Sequence, residues 1–303
     1  MGVQNEILVD VSYAENDPDP RLLLGAAQTT ARSTDTPPVT ALLTELDTTA
    51  RAALKSPTTI EDTTLFPSVD SLYSRKPTWK RIKDAVVVSA DLKNSTQLSF
   101  GKYINTSAKI YEASTAPLVS ILWAFKPAFV DIQGDGAFAI YHGERATERA
   151  LCAAITIKTF SAVTLEPKIR EILGEKVPDT GLKTGMDRGT LIARKLGVHG
   201  TNEPVWAGRP VNFAFKCAGR ADAHGLIVTE EVFKHFASND YVTHSCDHSD
   251  PPTELWHETD VEKLGTHSKC KELTSHWCEN GCGDRFATAI LTGQKKRETV
   301  TRA

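Results

Sequence analysis

Two aspartates occupy positions where a carboxylate could do chemistry. Asp91 directly follows the apolar run Ala85-Val-Val-Val-Ser-Ala90, and Asp135 lies between two glycines in the turn of the next predicted hairpin. Neighbouring strand ends of an antiparallel sheet bring such groups together, where their mutual repulsion favours a divalent cation. Two such cations can activate an attacking oxygen and stabilise a leaving pyrophosphate. The plainer alternatives are a helix cap for Asp91 and a β-turn role for Asp135.

The elements that must position these residues follow a regular order. Apolar periodicity and turn residues predict strands at 85–90, 129–132, 137–141, 182–185, 189–193 and 226–228, and helices at 97–124, 144–173, 211–221 and 230–236. Pro117 is expected to kink or restart the first of these helices. The order βαββαβ predicts an α+β, ferredoxin-like domain whose helices cover one face of the sheet.

The segments outside this core are interpreted as additions to it. Residues 1–80 contain breakers such as Asp17-Pro18-Asp19-Pro20 and one predicted helix from Val39 to Lys55, so we expect an N-terminal extension. The main domain is placed at 81–265. Residues 266–303, which contain a Cys/His cluster, are expected to form a C-terminal extension.

Composition limits the possible classes of protein. The chain has 303 residues, of which 40% are hydrophobic and 24% charged, with a formal net charge of −3. This balance argues against a nucleic-acid binder, which neutralises phosphates with basic side chains. No apolar run reaches the roughly 18–20 residues that span a bilayer, and the first residues lack a secretion signal. We therefore expect a cytoplasmic protein with no membrane partner.

Four segments in this order resemble the class III nucleotidyl cyclases, the catalytic domain of adenylate and guanylate cyclases. They are Ser89-Ala-Asp-Leu-Lys-Asn-Ser-Thr96, Gln133-Gly-Asp-Gly-Ala-Phe-Ala139, Lys183-Thr-Gly-Met-Asp-Arg-Gly-Thr190 and Gly208-Arg-Pro-Val-Asn-Phe-Ala214. The resemblance covers about residues 82–265. It implies a head-to-tail homodimer with active sites at the interface, which converts a nucleoside triphosphate into a cyclic monophosphate and pyrophosphate.

The resemblance also implies a role for individual residues. Two Mn²⁺ or Mg²⁺ ions would bind Asp91, Asp135 and the backbone carbonyl of Leu92. Phosphate oxygens would contact the backbone N–H groups near Asn94, Ser95 and Thr96, at the start of a helix. Asn212, supplied by the opposite chain, would orient the ribose.

Two lysines compare differently with the family: Lys216 departs from its pattern and Lys263 matches it. The family carries Arg four residues after the asparagine, and this chain has Lys216 there, with Arg220 one turn further on. Lysine keeps the positive charge but loses the forked geometry of arginine. Lys263 resembles the family's triphosphate-binding lysine. For both lysines the alternative is an ordinary solvated surface position.

The base-reading positions of the family also differ here. They correspond to Asp131 and Val205, which match neither the adenine nor the guanine pair, and valine can form no hydrogen bond to a base. These departures resemble the pyrimidine cyclases of the bacterial Pycsar anti-phage system, which make cyclic UMP or cyclic CMP for a separate effector protein. UTP is therefore expected in preference to CTP. Tyr73 or Arg75 could read the base, although Tyr73 also fits a packing role.

Two alternatives to a pyrimidine cyclase stay open. One is a purine cyclase, adenylate or guanylate, whose base-reading residues are offset by one or two places near Gly208. The other is a catalytically weak homologue that only binds nucleotide, because Lys216 replaces the usual arginine.

A Cys/His cluster near the C-terminus indicates a metal of another kind. Its members are Cys270, His276, Cys278 and Cys282. Four such ligands suit a closed structural zinc site. The alternative is a set of buried thiols in a C-terminal hairpin.

Overall fold

The computed structural model describes residues 38–98, 104–174, 177–197, 202–249, 251–298 and 300. The chain divides into two compact units, residues 1–56 and residues 57–303. In the first unit, α1 spans Val39–Lys55, as predicted, and its side chains are exposed. The boundary differs from the expected one near residue 80 because residues 57–80 contribute a paired strand and the buried Leu72 to the second unit.

The second unit contains nine strands and eight α-helices within the described residues. Its first half runs β1 (Thr59–Thr63), β2 (Thr78–Leu92), α2 (Ser95–Leu98), α3 (Ile104–Ala124), β3 (Phe129–Gln133), β4 (Gly136–Tyr141), α4 (Ala146–Thr159) and α5 (Glu166–Leu173). Its second half runs β5 (Leu182–Leu196), β6 (Glu203–Gly208), α6 (Arg209–Arg220), β7 (Leu226–Thr229), α7 (Glu230–Phe236), α8 (Asp240–Thr243), β8 (Trp256–Asp260), β9 (Lys269–Leu273) and α9 (Cys282–Thr292). Short 3₁₀ turns lie at Asp70–Leu72 and Glu262–His267, and a π-helical turn lies at Phe160–Leu165.

The strands form one sheet in the order β3-β4-β2-β5-β7-β9-β8, while β1 pairs with β2 and β6 pairs with β5. In the run β3-β4-β2-β5, each strand is antiparallel to the next. With α3 between β2 and β3, and α4 and α5 between β4 and β5, they form the predicted ferredoxin-like βαββαβ unit. The predicted fold class is confirmed.

Strand β2 is buried on both faces, which explains its unbroken apolar run. Val86 and Val88 pack in one core with α3 and α4, whereas Val87 packs on the opposite face with Ala214 of α6. A strand covered on both faces needs apolar residues at successive positions rather than at alternating ones. The expectation that helices cover only one face is therefore wrong, because α6 covers the other.

Helix α3 does not restart at Pro117, and strand β5 is not divided. Helix α3 runs continuously through Pro117, since its buried face, including Ile110, Leu118 and Leu122, holds both halves of the helix against the same core. Strand β5 is a single 15-residue strand and not two short ones. Hydrogen bonding to β2 along almost the whole of β5 extends the ladder across the glycines that indicated a break.

Other predicted helix limits shift. Of the helix expected at 97–124, α2 contains the first two residues and α3 contains Ile104–Ala124, and residues 99–103 lie outside the described residues. The helix expected at 144–173 changes to a π-helical turn at Phe160–Leu165 before α5, which carries Pro167 in its first turn, where proline is tolerated.

The C-terminal segment is part of the second unit. Strand β9 hydrogen-bonds to β7, and Ile290 of α9 lies in the same core as α4. Among the helices of the described residues, none combines the length and the apolar character needed to cross a bilayer.

Candidate active site

The two candidate metal-binding aspartates lie at adjacent chain reversals. Asp91 is the penultimate residue of β2, and Asp135 lies in the two-residue turn between β3 and β4. A Cβ atom on Gly136 would lie 2.4 Å from the Ala90 carbonyl oxygen and 3.1 Å from the Asp91 Cα. The turn that carries Asp135 therefore packs directly on the end of β2, which requires glycine at position 136. The structure thus places the backbones of the two aspartates close together.

The two carboxylates differ in their partners. Asp91 Oδ2 lies 3.0 Å from Nζ of Lys183, the residue opposite it on β5. Asp135 Oδ2 is buried and has no hydrogen-bond partner among the described residues. A buried carboxylate oxygen without a partner is costly, and hard divalent cations take such oxygens as ligands. The donor set thus fits Mg²⁺ or Mn²⁺.

The segment predicted to contact phosphate follows Asp91 directly. Leu92 is buried opposite Leu182, so the chain leaves the sheet only after its backbone carbonyl. Asn94 adopts a left-handed conformation with φ of 61°, and its side-chain amide donates a hydrogen bond to the Asp179 carbonyl at 2.7 Å. Helix α2 then begins at Ser95, followed by the exposed Thr96. All of these residues lie at the Asp91 end of β2.

Asn212 and Lys216 lie on the side of α6 that faces away from the sheet. Ala214 is buried against the sheet, and both residues are two positions from it, about 200° around the helix axis. Lys216 Nζ donates a hydrogen bond to the Lys263 carbonyl oxygen at 3.0 Å. The structure thus brings Lys216 and Lys263 together on an outward surface with the exposed Asn212. It does not direct them towards Asp91 of the same chain.

Arg220, the alternative to Lys216, is exposed at the last residue of α6. It lies one further turn along the helix from Lys216. No described hydrogen bond or ion pair involves its side chain, so the structure offers no preference between the two as the replacement for the family's arginine.

The predicted base-contacting residues lie apart. Asp131 is exposed on β3, on the face of its partner Phe138, which packs with α6. Trp206 packs on that same face, so its neighbour Val205 points to the opposite one. The structure does not bring Asp131 and Val205 together within one chain.

Tyr73 and Arg75 lie in the segment before β2. Tyr73 directly follows the buried Leu72 and is 51% exposed. Arg75 is exposed too. Leu72, and not Tyr73, fills the packing role that the sequence assigned to this segment.

Only half of the predicted zinc ligands come together. Cys278 and Cys282 lie beside Cys246 and His248, so that the four ligand atoms fall within 4.8 Å of one another. Cys270 is excluded because β9 directs it into the core with Cys217, and the exposed His276 bonds to the Trp277 carbonyl. The pair Cys246-x-His248, thirty residues upstream, was the sequence signal for the missing ligands.

The sequence also did not indicate Lys183 or a buried ion pair at Asp187. Asp187 is fully buried on β5, where it accepts a hydrogen bond from Thr229 Oγ1 at 2.5 Å and lies 3.2 Å from Arg209 Nε. Burial raises the pKa of Asp187, against the opposing effects of Thr229 and Arg209. The pair fixes the start of α6 to the sheet. Burial of this kind depends on tertiary packing, which the local pattern does not reveal.

Comparison with known proteins identifies the family. No protein-family model matches the chain. A uridylate cyclase from Micromonospora echinofusca is 40% identical over 266 residues, which cover 86% of this chain and 87% of that protein. The chain belongs to the uridylate cyclase family. A second uridylate cyclase, from Propioniciclava tarda, is 40% identical over 77% of each chain.

Solved structures agree with this uridylate cyclase family assignment at the level of the fold. The adenylyl cyclase CyaB from P. aeruginosa superposes with a TM-score of 0.53 at 13% identity, over 65% of this chain and 96% of that one. The guanylyl cyclase Cya2 gives 0.50 at 12% identity, over 64% and 91%. The predicted resemblance to class III cyclases, and to their pyrimidine branch, is confirmed.

Proposed function

We propose that this protein is a lyase that converts UTP, and CTP less well, into the 3′,5′-cyclic monophosphate and pyrophosphate. The ribose 3′-oxygen attacks the α-phosphorus, and the bond from the α-phosphorus to the bridging oxygen of pyrophosphate breaks. The observation that carries the proposal is the pairing of Asp91 with Asp135 at one sheet end, in a chain 40% identical to uridylate cyclases.

The residues of this site fit a pair of divalent cations. Asp91, Asp135 and the Leu92 carbonyl would hold two Mg²⁺ or Mn²⁺ ions, which would neutralise the triphosphate and lower the pKa of the attacking hydroxyl. Lys183 balances the charge of Asp91 and holds its carboxylate in place through the 3.0 Å ion pair. Asn94 fixes the backbone between β2 and α2 by its bond to the Asp179 carbonyl.

The outward orientation of α6 supports a site shared between two copies of the chain. Asn212 and Lys216 point away from the sheet that carries Asp91, so they can reach a metal-bound triphosphate only on another copy. In a head-to-tail homodimer, Asn212 orients the ribose and Lys216 stabilises the charge that develops at the phosphate. Lys263, whose carbonyl anchors Lys216, contributes a further charge for the triphosphate.

The base contact is assigned to Asp131, with Val205 as an apolar neighbour from the other copy. A carboxylate only accepts hydrogen bonds, which suits the N3–H of uracil and also the 4-amino group of cytosine. Asp131 is exposed on its strand and therefore accessible to a base.

Product analysis tests this proposal. The full chain is incubated with each of the four ribonucleoside triphosphates and Mn²⁺, and the cyclic products are separated by chromatography. We expect cyclic UMP as the main product and little or none from an Asp135→Asn variant. Cyclic AMP or cyclic GMP as the main product would contradict the pyrimidine assignment. No cyclic product from any triphosphate would indicate a nucleotide-binding homologue.

The cellular part of the proposal is a cytoplasmic defence signal. It rests on the resemblance to the Pycsar pyrimidine cyclases, in which the cyclic nucleotide activates a separate effector. Cyclic UMP should rise after phage infection in cells that carry the wild-type chain and stay low with Asp135→Asn. Equal levels in the two strains would contradict a role for this chain in signalling.

A further inference from the structure

Three thiols and one imidazole converge near the end of the chain. Cys246 and His248 lie between α8 and β8, whereas Cys278 and Cys282 lie just before and at the start of α9. The Nδ1 atom of His248 lies 3.4 Å from the sulfurs of Cys246 and Cys278 and 3.6 Å from that of Cys282. Two segments some thirty residues apart thus meet at a single imidazole nitrogen.

These distances match a tetrahedral zinc site. With Zn–S of about 2.3 Å and Zn–N of about 2.0–2.1 Å, sulfur and nitrogen ligands of one ion lie about 3.5 Å apart. Hydrogen bonding does not explain the arrangement, because one ring nitrogen takes part in one ordinary hydrogen bond and not in three nearly equal ones. A common central ion explains all three distances.

Positive charge lies beside the cluster and would offset the net charge of a zinc site. Three thiolates and a neutral histidine around Zn²⁺ leave one negative charge. The Arg285 guanidinium lies 3.8 Å from the Cys282 sulfur and 3.1 Å from Asp247, to which Arg297 also binds. Cys282 is also the first residue of α9, where the positive end of the helix dipole faces the cluster.

We propose that Cys246, His248, Cys278 and Cys282 bind a structural zinc ion that fastens the loop after α8 to the start of α9. Four protein ligands leave no open position for a substrate, and thiolates select zinc over the Mg²⁺ or Mn²⁺ of the carboxylate site. The zinc site shares no residue with the candidate active site.

The position of the zinc defines what it stabilises. Trp277, next to Cys278, donates hydrogen bonds to Thr159 and Thr156 of α4 at 3.0 and 2.9 Å. Ile290 of α9 lies in the same core as α4. Zinc therefore holds α9 and Trp277 against a helix of the central βαββαβ unit.

The first experiment needs only the wild-type full chain. Metal analysis of protein purified without added zinc should find about one zinc per chain. Replacement by Co²⁺ should give the intense absorption of thiolate-to-cobalt charge transfer, and removal by a chelator should lower the Tm and make three more cysteines reactive to a thiol reagent. Absence of both zinc and the charge-transfer band would overturn the proposal.

Variants then identify the ligands. His248→Gln and Cys282→Ser should lose nearly all of the zinc. His276→Gln, which changes an exposed histidine outside the cluster, and Asp135→Asn, which changes the other metal site, should keep it. Full zinc content in His248→Gln would overturn the proposed ligand set, as would zinc loss in His276→Gln. If a ligand variant does not fold, the wild-type cobalt spectrum and thiol count decide.

Discussion

Asp135 combines burial of one carboxylate oxygen with the lack of a described hydrogen-bond partner. A group in this state destabilises the metal-free fold, because burial removes its hydration and nothing replaces it. Gly136 keeps the residue there by letting the turn approach the Ala90 carbonyl. The site is therefore arranged for a ligand and not for the stability of the chain alone.

This arrangement predicts opposite effects of Asp135→Asn on stability and on metal binding. Without divalent metal, the variant should be at least as stable as the wild type, since an unpaired charge is removed. Mn²⁺ at a hundredfold excess over its Kd should stabilise the wild type by about 2.7 kcal/mol and the variant by far less. Thermal unfolding with and without Mn²⁺ measures both effects.

Asp131→Asn is the matched control, because it removes an exposed carboxylate from the adjoining strand. It should keep the full stabilisation by Mn²⁺. An undiminished Mn²⁺ shift in Asp135→Asn would show that Asp135 does not hold the metal.

At the scale of elements, the π-helical turn and the segment before β7 are joined through one histidine. The Leu182 N–H donates to Ser161 Oγ at 2.6 Å, and the Ser161 hydroxyl contacts His224 Nδ1 at 2.8 Å. The Ser161 hydroxyl therefore links the start of β5 to His224. Burial lowers the pKa of His224, although Glu166 and Asp179 oppose this effect.

The lowered pKa predicts a loss of stability in mild acid. Below pH 6.5 the unfolded chain binds a proton at His224 more readily than the folded chain, so the free energy of unfolding falls as the pH drops towards the lowered pKa. The slope from this group is at most about 1.4 kcal/mol per pH unit. His224→Gln should therefore lose less stability than the wild type between pH 7.5 and 5.5, as measured by urea unfolding.

His276→Gln serves as the control for that measurement, since His276 is exposed. It should keep the pH dependence of the wild type. A His224→Gln variant with the same pH dependence as the wild type would contradict the lowered pKa of His224.

The sequence predicts those elements that are determined by the residues of their own segment. The apolar run before Asp91, the glycines around Asp135 and the α6 segment each carry their own signal, and all three form as expected. The continuity of β5 and the burial of Asp187 depend on partner strands and helices far along the chain. The predicted set of zinc ligands is half wrong for the same reason, because only the fold brings Cys246 beside Cys278.

At the scale of the whole molecule, the shared site predicts complementation between inactive variants. Asp91→Ala and Asn212→Ala should each be nearly inactive, because each removes one group from every site. In a mixture, half of the dimers carry both variants and keep one intact site of two, so activity should return to about one quarter of the wild-type value. Cyclic UMP formation after subunit exchange measures this recovery.

The mixture of Asp91→Ala with Asp135→Ala is the matched control. Both residues belong to the same chain's half of the site, so every mixed dimer has two damaged sites and no activity should return. Failure of the first mixture despite demonstrated subunit exchange would argue against a site built from two copies, as would recovery in the control.

The pairing of β2 with β5 has a consequence for synthesis of the chain. Ala90 pairs with Thr184, so β2 leaves the ribosome well before its partner strand exists. At roughly 5–20 residues per second, the intervening stretch of roughly 90 residues takes roughly 5–20 s to translate. Throughout that interval Val86, Val87 and Val88 have an unpaired strand edge. We therefore expect chaperones to bind this segment of the nascent chain.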